Sequence, residues 1–400
     1  MMNAQPSAAQ LDQLRQVGDP EADATVAWLY ANDQIALANQ LLSGLYWEGV
    51  APPEAFPAPL RDFLLSASQL PAWADASLME RGQRLFMRHG LLALAGLLTA
   101  SLPSCYLMTK AVRVLGVTQQ LVFHPYQRVI ATAQMVNDTM TPGGMAPGAE
   151  GLKAALRVRL LHASIRYLTL EVAQKRAHAE IKAPLFQAIQ QFQWAPEDGT
   201  PINQEDAAYT LLTFSIAILE AMQKLGARVS REDQLAYLHL WNVIGAVMGL
   251  RRDLMAETPE QATALRDQML ARQIGRSAEG VLLTRSLRYA IGKGVHSAAL
   301  ADLLVPPFTR LMIGDERAQL LDVPQPTPLG RILKTLIVAS LHVGELLASL
   351  IGWIPLTRRI SGLAGRWMVN HLAAMPASWD ESLFALPDDL RDARKPMNAT

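Results

Sequence analysis

The chain has 400 residues, half of them hydrophobic and 18% charged, and its formal net charge is zero. That is enough apolar material for one large buried core or two ordinary ones. The balanced charge, without a long basic run, excludes nucleic acid as the main partner. The single Cys105 excludes an internal disulfide and a cysteine-cluster metal site.

Residues 1–20 are polar and read as a flexible leader. They hold neither an apolar signal core nor a twin-arginine start, so a cytoplasmic chain is expected. From Ala22 to Tyr46 apolar residues recur at helical spacing. Pro52, Pro53, Pro57 and Pro59 then mark a connector. A short helix follows over Leu60–Ser66, and a longer one over Ala76–His89 with Asp75 as N-cap.

The run from Leu91 to Met108 carries no charge and approaches a membrane span in length. Pro103 and several small polar residues interrupt it. A buried helix ending at Ser101–Pro103 is the expected outcome. Another helix covers Ser104–Leu115 and stops at Gly116. The next runs from about His124 to Asn137 and sets Arg128 and Thr132 on one face, at i and i+4. Thr141–Gly148 (TPGGMAPG) is a loop. It either shapes a site or simply connects.

The stretch Leu156–Leu170 has no Gly or Pro and reads as a helix. Arg159, His162 and Arg166 fall on one of its faces. Two guanidiniums beside an imidazole disfavour its protonated form and leave the neutral, metal-binding one. The same cations can pair with carboxylates, those of a haem included. A lone histidine on such a helix is more often a satisfied core residue.

Residues 171–186 form a charged, solvated face, and Phe192–Ile202 a loop. Asn203 caps a helix reaching Gly226, and Ser230 caps another that runs through Trp241, Gly245 and Gly249 to Leu250. Each glycine costs that helix about 1 kcal/mol relative to Ala. They mark either close helix packing or the approach of a flat group. Thr258 and Pro259 open a helix to Arg272. Gly280–Ile291 and Ala298–Leu304 are apolar helices, Pro306–Pro307 breaks the chain, and Arg310–Leu321 is helical.

A proline-rich linker over Val323–Pro328 leads to C-terminal helices over 331–386 and a flexible tail over 387–400. Lys334, His342 and Glu345 interrupt the apolar run Ile332–Ile354, which argues against a span. Arg358, Arg359 and Arg366 follow it. Residues 331–370 therefore pack on the domain or lie on a membrane surface. No alternating apolar run and no fixed repeat occurs. The fold class is all-α, with residues 21–330 as the main domain.

There is no P-loop, no GxSxG elbow and no HExxH. The eight histidines are scattered. A metal held by side chains alone would need several of them to converge, whereas a metal in a macrocycle needs one protein ligand. A helical chain with one well-placed histidine suits haem, as do many haem-free helical proteins.

The motifs together resemble the family of the bacterial latex clearing proteins (rubber oxygenases) and the fungal MpaB-type oxygenases. Arg159-Leu160-Leu161-His162-Ala163-Ser164-Ile165-Arg166 is similar to the family's Arg-x-x-His-Ala-x-x-Arg core. Arg128-Val129-Ile130-Ala131-Thr132 is similar to its Arg-x-x-Lys-Thr element. Thr213-Phe214-Ser215, Leu225-Gly226, Trp241 to Gly249, and Val305-Pro306 with Arg310-Leu311-Met312 fit later elements. The resemblance covers roughly residues 60 to 325.

It implies a globin-like helical core with additional helices and one haem b, with its iron on His162. Arg128 and Thr132 would line the distal side as the catalytic pair. Arg159 and Arg166 would hold the haem or the helix that carries its ligand. Ala131 stands where latex clearing proteins carry the distal lysine. No Asp or Glu lies between Leu91 and Arg128, so the family's upstream base has no counterpart. The implied function is a haem-dependent oxygenase using O2 on an apolar, unsaturated, isoprenoid-like substrate, with oxidative C=C cleavage as the family chemistry. A non-catalytic carrier of haem or an apolar ligand is the alternative. A haem-free protein that docks on membranes is a third reading.

Overall fold

The structure is a computed structural model that describes residues 5–32, 34, 51–117, 125–172 and 194–350. It begins with helices α1 (Ala8–Leu14), α2 (Pro20–Ala31), α3 (Ala58–Ala67) and α4 (Ala76–Gly96). Then come α5 (Leu102–Tyr106), α6 (Ala111–Val117), α7 (Pro125–Met140) and α8 (Glu150–Tyr167). After a gap follow α9 (Gln204–Leu212), α10 (Ile218–Lys224), α11 (Arg231–Val247) and α12 (Pro259–Gln273). The described chain closes with α13 (Ala278–Gly294), α14 (Ala298–Ile313), α15 (Asp315–Leu320) and α16 (Pro328–Leu350). Among the described residues there is no strand, only an isolated bridge between Met108 and Ile274. The fold is all-α.

Helix α4 is the axis of the core. It packs chiefly on α11 and also on α10 and α7. Trp241, Tyr237 and Leu240 of α11 and Leu85, Phe86 and Ala93 of α4 are buried there. The Leu91–Met108 run belongs to this axis. By length and hydropathy Ala76–Tyr106 is the one described helix that meets the test for a membrane span. Its burial against neighbouring helices is that of a core helix.

Three expectations are corrected here. The run does not stop at Ser101–Pro103. It widens into a π turn over Leu97–Ser101, where Leu102 N–H bonds Leu97 O, and α5 follows at once with Pro103 in its first turn. The wide turn carries the chain past a residue that has no N–H to give. Pro306 and Pro307 do not break the chain either, because both lie inside α14. The break comes at Gly314, whose φ is +86°. The helix expected to run through Gly249 to Leu250 ends at Val247, with Gly249 past it at φ +85°; Gly245, inside α11, serves packing. A Cβ at Gly245 would come within 2.6 Å of Leu211 Cδ2, so a side chain and not a flat group lies against it.

The N-terminus is the fourth correction. Residues 5–20, read as a loose leader, are ordered by local caps and by burial. Ser7 and Gln10 form a reciprocal capping box on α1, and Leu11 and Leu14 enter the core. Arg15 reaches Glu205 at 3.1 Å, Asp206 at 3.0 Å and the Asp198 carbonyl at 2.8 Å, all out of water.

Helix α16 packs on α14 through Val338 and Leu341. Its other side exposes Leu329, Ile332, Leu336, Val343, Leu346 and Leu347. The rest of the 331–370 segment, the 387–400 tail, and the residue 35–46 and 173–186 stretches lie outside the described residues.

Helix α4 kinks at His89, which leaves helical geometry at φ −119° and ψ 24°. His89 Nε2 is buried with no hydrogen-bond partner among the described residues. Burial pushes its pKa below the ordinary 6.5; Glu345 and Asp233 oppose the shift and Arg88 adds to it. The unfolded chain therefore takes up a proton more readily than the folded one. Stability from this group is complete above about pH 6.5 and is lost as the pH falls below it. Denaturant midpoints measured from pH 7.5 to 5 will fall less steeply in His89→Gln than in the parent chain.

Candidate active site

Helices α7 and α8 form an antiparallel hairpin. Arg128 lies twelve residues before the end of α7 and His162 twelve residues after the start of α8. At the helical rise each is about 18 Å from the connection, so the hairpin sets them at one level. The connection is tight: Leu152 N–H bonds Gly144 O at 2.9 Å. A Cβ at Gly144 would fall 1.9 Å from the Asp138 carbonyl oxygen, which is backbone and has little room to yield. The TPGGMAPG loop thus fixes the register of the two helices. Gly144→Ala is expected to cost about 1–3 kcal/mol through this overlap, read as a lower denaturant midpoint.

His162 is surrounded by protein yet keeps part of its surface accessible. No hydrogen bond to it occurs among the described residues. Burial pushes its pKa down to about 3; Arg166 and Arg128 push the same way, and Asp19 opposes them. The imidazole is neutral at any ordinary pH, with lone-pair capacity unspent. Arg128 is equally deep and partly accessible. Burial lowers its pKa while Tyr106 raises it, and a guanidinium stays charged at such a site. Thr132 donates its hydroxyl to the Arg128 carbonyl at 3.0 Å, which leaves the oxygen's lone pairs for other donors. Ala131 beside it is half-buried and brings no polar group.

Arg159 and Arg166 are engaged elsewhere. Arg159 grips Asp19 with two bonds, Nε to Oδ2 at 2.6 Å and Nη2 to Oδ1 at 2.9 Å. It also reaches Glu21 at 3.0 Å and lies 5.1 Å over the Phe63 ring. Arg166 bonds Asp23 at 2.7 Å and the Ile202 carbonyl at 3.1 Å. Both guanidiniums thus tie the helix that carries His162 to the N-terminal segment. Of their nitrogens, Arg166 Nη2 is buried with no hydrogen-bond partner among the described residues.

Tyr106 and Tyr30, near the site, carried no sequence signal. Tyr106 faces Arg128 electrostatically, and Tyr30 stacks on Tyr167 at 4.7 Å. Two π turns, Leu97–Ser101 and Thr213–Ala217, touch each other. Thr213 Oγ1 takes Ser101 Oγ at 3.3 Å and meets Cys105 Sγ at 3.1 Å. Burial pushes the Cys105 thiol up to about 11, so it is an inert packing group.

Among the described residues no three His, Cys, Asp or Glu side chains are grouped to hold a metal. A metal here would depend on one protein ligand, and His162 has the required chemistry: neutral, interior and unbonded. In that respect the residues fit a haem. The carboxylate anchors expected from Arg159 and Arg166 are not supplied by those two side chains.

Comparison with known proteins agrees with the fold. Residues 84–353 match the profile described as ER-bound oxygenase mpaB/B′/rubber oxygenase, catalytic domain. A rubber oxygenase of Streptomyces sp. (strain K30) is 25% identical over 328 residues, which is 80% of this chain and 74% of that protein. A solved structure of a latex clearing protein in its closed state superposes with a TM-score of 0.68 at 21% identity. The superposition covers 88% of this chain and 91% of the other. The match to the profile spans well over half of the sequence, and the chain belongs to the MpaB/B′ and rubber oxygenase catalytic-domain family.

Proposed function

We propose that this protein is a haem b-dependent oxygenase acting on an apolar, unsaturated, isoprenoid-like substrate. The observation that carries the reading is the hairpin that sets a neutral, unbonded His162 level with a buried Arg128 inside a family of oxygenases. His162 would hold the iron. When bound, the haem would supply the activation of O2, and the overall reaction would convert one C=C bond and one O2 into two carbonyl groups.

The protein's own part is positioning and electrostatics. His162 arrives without a proton to lose. Arg128 brings a fixed cation into a site from which bulk water is excluded, where it steadies developing negative charge far better than in water. Thr132 holds the Arg128 turn of the helix through its hydroxyl. Ala131 leaves the space beside them open and unable to give a proton. No carboxylate on the chain between Leu91 and Arg128 serves as base.

The exposed apolar side of α16 supports peripheral contact with lipid, from which such a substrate would be drawn. The test is O2 uptake with unsaturated isoprenoids of graded length, alongside detection of carbonyl ends. Arg128→Leu should retain haem and lower kcat about 100-fold. Haem binding with no O2 uptake on any isoprenoid would favour the carrier reading instead.

A further inference from the structure

The family profile begins at residue 84, yet the helix bearing His162 is held by residues well before it. Asp19, Glu21 and Asp23 present carboxylates to Arg159 and Arg166, the two cations that flank His162 at −3 and +4. The joint is built closely. Asp19 is buried, caps α2 through Ala22 N–H, and is closed in by Gly249, where a Cβ would come within 2.2 Å of its Oδ2. Gly249 takes φ +85°, a conformation that suits glycine. Asp23 accepts the Asp19 backbone N–H at 3.0 Å, which ties its carboxylate to the backbone at the start of α2. Gln204 clamps the same joint, donating to the Gly18 carbonyl at 2.9 Å and the Gly249 carbonyl at 3.0 Å. Ile202, whose carbonyl receives Arg166, sits at φ +49°, a conformation that β-branched residues rarely adopt.

We propose that Asp19 and Asp23 are positioning residues of the active site: they fix the rotation of the His162 helix and neutralise the two guanidiniums beside the imidazole. This rests on the haem reading above. Two geometric consequences carry it. Arg159 is gripped at both ends of its fork by one carboxylate, which sets its orientation as a single contact does not. Each guanidinium would otherwise place an uncompensated charge near a metal on His162, in a region of weak screening. An uncompensated cation there favours the ferrous over the ferric state. Removing one carboxylate therefore moves the midpoint potential upward.

The experiment uses the full chain loaded with haem b. Asp19→Asn keeps the α2 cap, because Asn also accepts from Ala22 N–H. Asp19→Glu restores the charge. Asp12→Asn is the control, since Asp12 pairs with Arg272 on α12 and not with the His162 helix. The readouts are the rate of haem transfer to an apo-globin scavenger, the midpoint potential, and the circular-dichroism melt. We expect Asp19→Asn to release haem about 10-fold faster and to shift the potential positive, Asp19→Glu to recover most of both, and Asp12→Asn to change neither. Should Asp19→Asn fail to fold, Asp23→Asn, whose carboxylate is one-third exposed, gives the same reading. A lower melting temperature with unchanged haem release and potential would overturn the proposal, as would an equal shift in Asp12→Asn. A colourless parent chain would overturn the haem reading itself, and the positioning role with it.

Discussion

His162→Ala will abolish stable haem binding while leaving the fold intact. The imidazole accepts no bond and donates none among the described residues, so its removal orphans no buried partner. Part of its surface is accessible, which limits the cost of the cavity left behind. The loss falls on ligation alone. The Soret absorbance of the variant after gel filtration should drop to less than a tenth of that of the parent, with an unchanged far-ultraviolet spectrum. Imidazole added to the buffer should restore part of the band, because the space vacated is the size and shape of the lost ring. A variant that retained a full, unshifted Soret band would place the iron on another residue.

Arg15→Ala will produce the largest loss of stability. Its guanidinium lies against Glu205 and Asp206, whose side chains are 0% and 5% exposed. Arg272 still reaches Glu205 at 2.7 Å, and Gln273 still donates to Asp206 at 3.1 Å. One of two buried negative charges nonetheless loses its counter-ion. Breaking a buried pair from one side costs about 3–5 kcal/mol, most of it the penalty of the charge left behind. Urea unfolding of the variant should show a lower midpoint at unchanged slope, the product of slope and midpoint shift giving that amount. The exposed pair Arg251–Asp253 offers the contrast, since Arg251→Ala should cost less than about 1 kcal/mol.

Helix starts were legible because caps are local. Asp75, Asn203, Ser230 and Thr258 each bond the backbone N–H groups that their spacing predicts. The shared face of Arg159, His162 and Arg166 was legible for the same reason, since periodicity decides which side chains stand together. What stands opposite a face is another matter. The carboxylates that meet Arg159 and Arg166 lie some 140 positions away, in a polar stretch with no apolar pattern to announce it. Read alone, an acidic segment such as GDPEADA looks solvated. Here only Asp19 and Ala22 of it are buried, yet Asp19, Glu21 and Asp23 each meet a guanidinium of the His162 helix. The proline-bearing helices were misread for a related reason. Pro103 and Pro306–Pro307 lower local helix propensity, and tertiary packing around α4, α5 and α14 overrides it. The level placement of Arg128 and His162 followed from two helix lengths and a short turn; sequence marked the turn and both helices but began α8 at Leu156, six residues inside its observed start at Glu150.

The most direct test of the account is the absorption spectrum of the full wild-type chain saturated with haem b, recorded as isolated and again after reduction under carbon monoxide. The account predicts a Soret band that moves on exposure to carbon monoxide, because His162 would hold the iron and Ala131 brings no second side-chain ligand. A chain that stays colourless, or a band indifferent to carbon monoxide because two protein ligands close the iron, would contradict it.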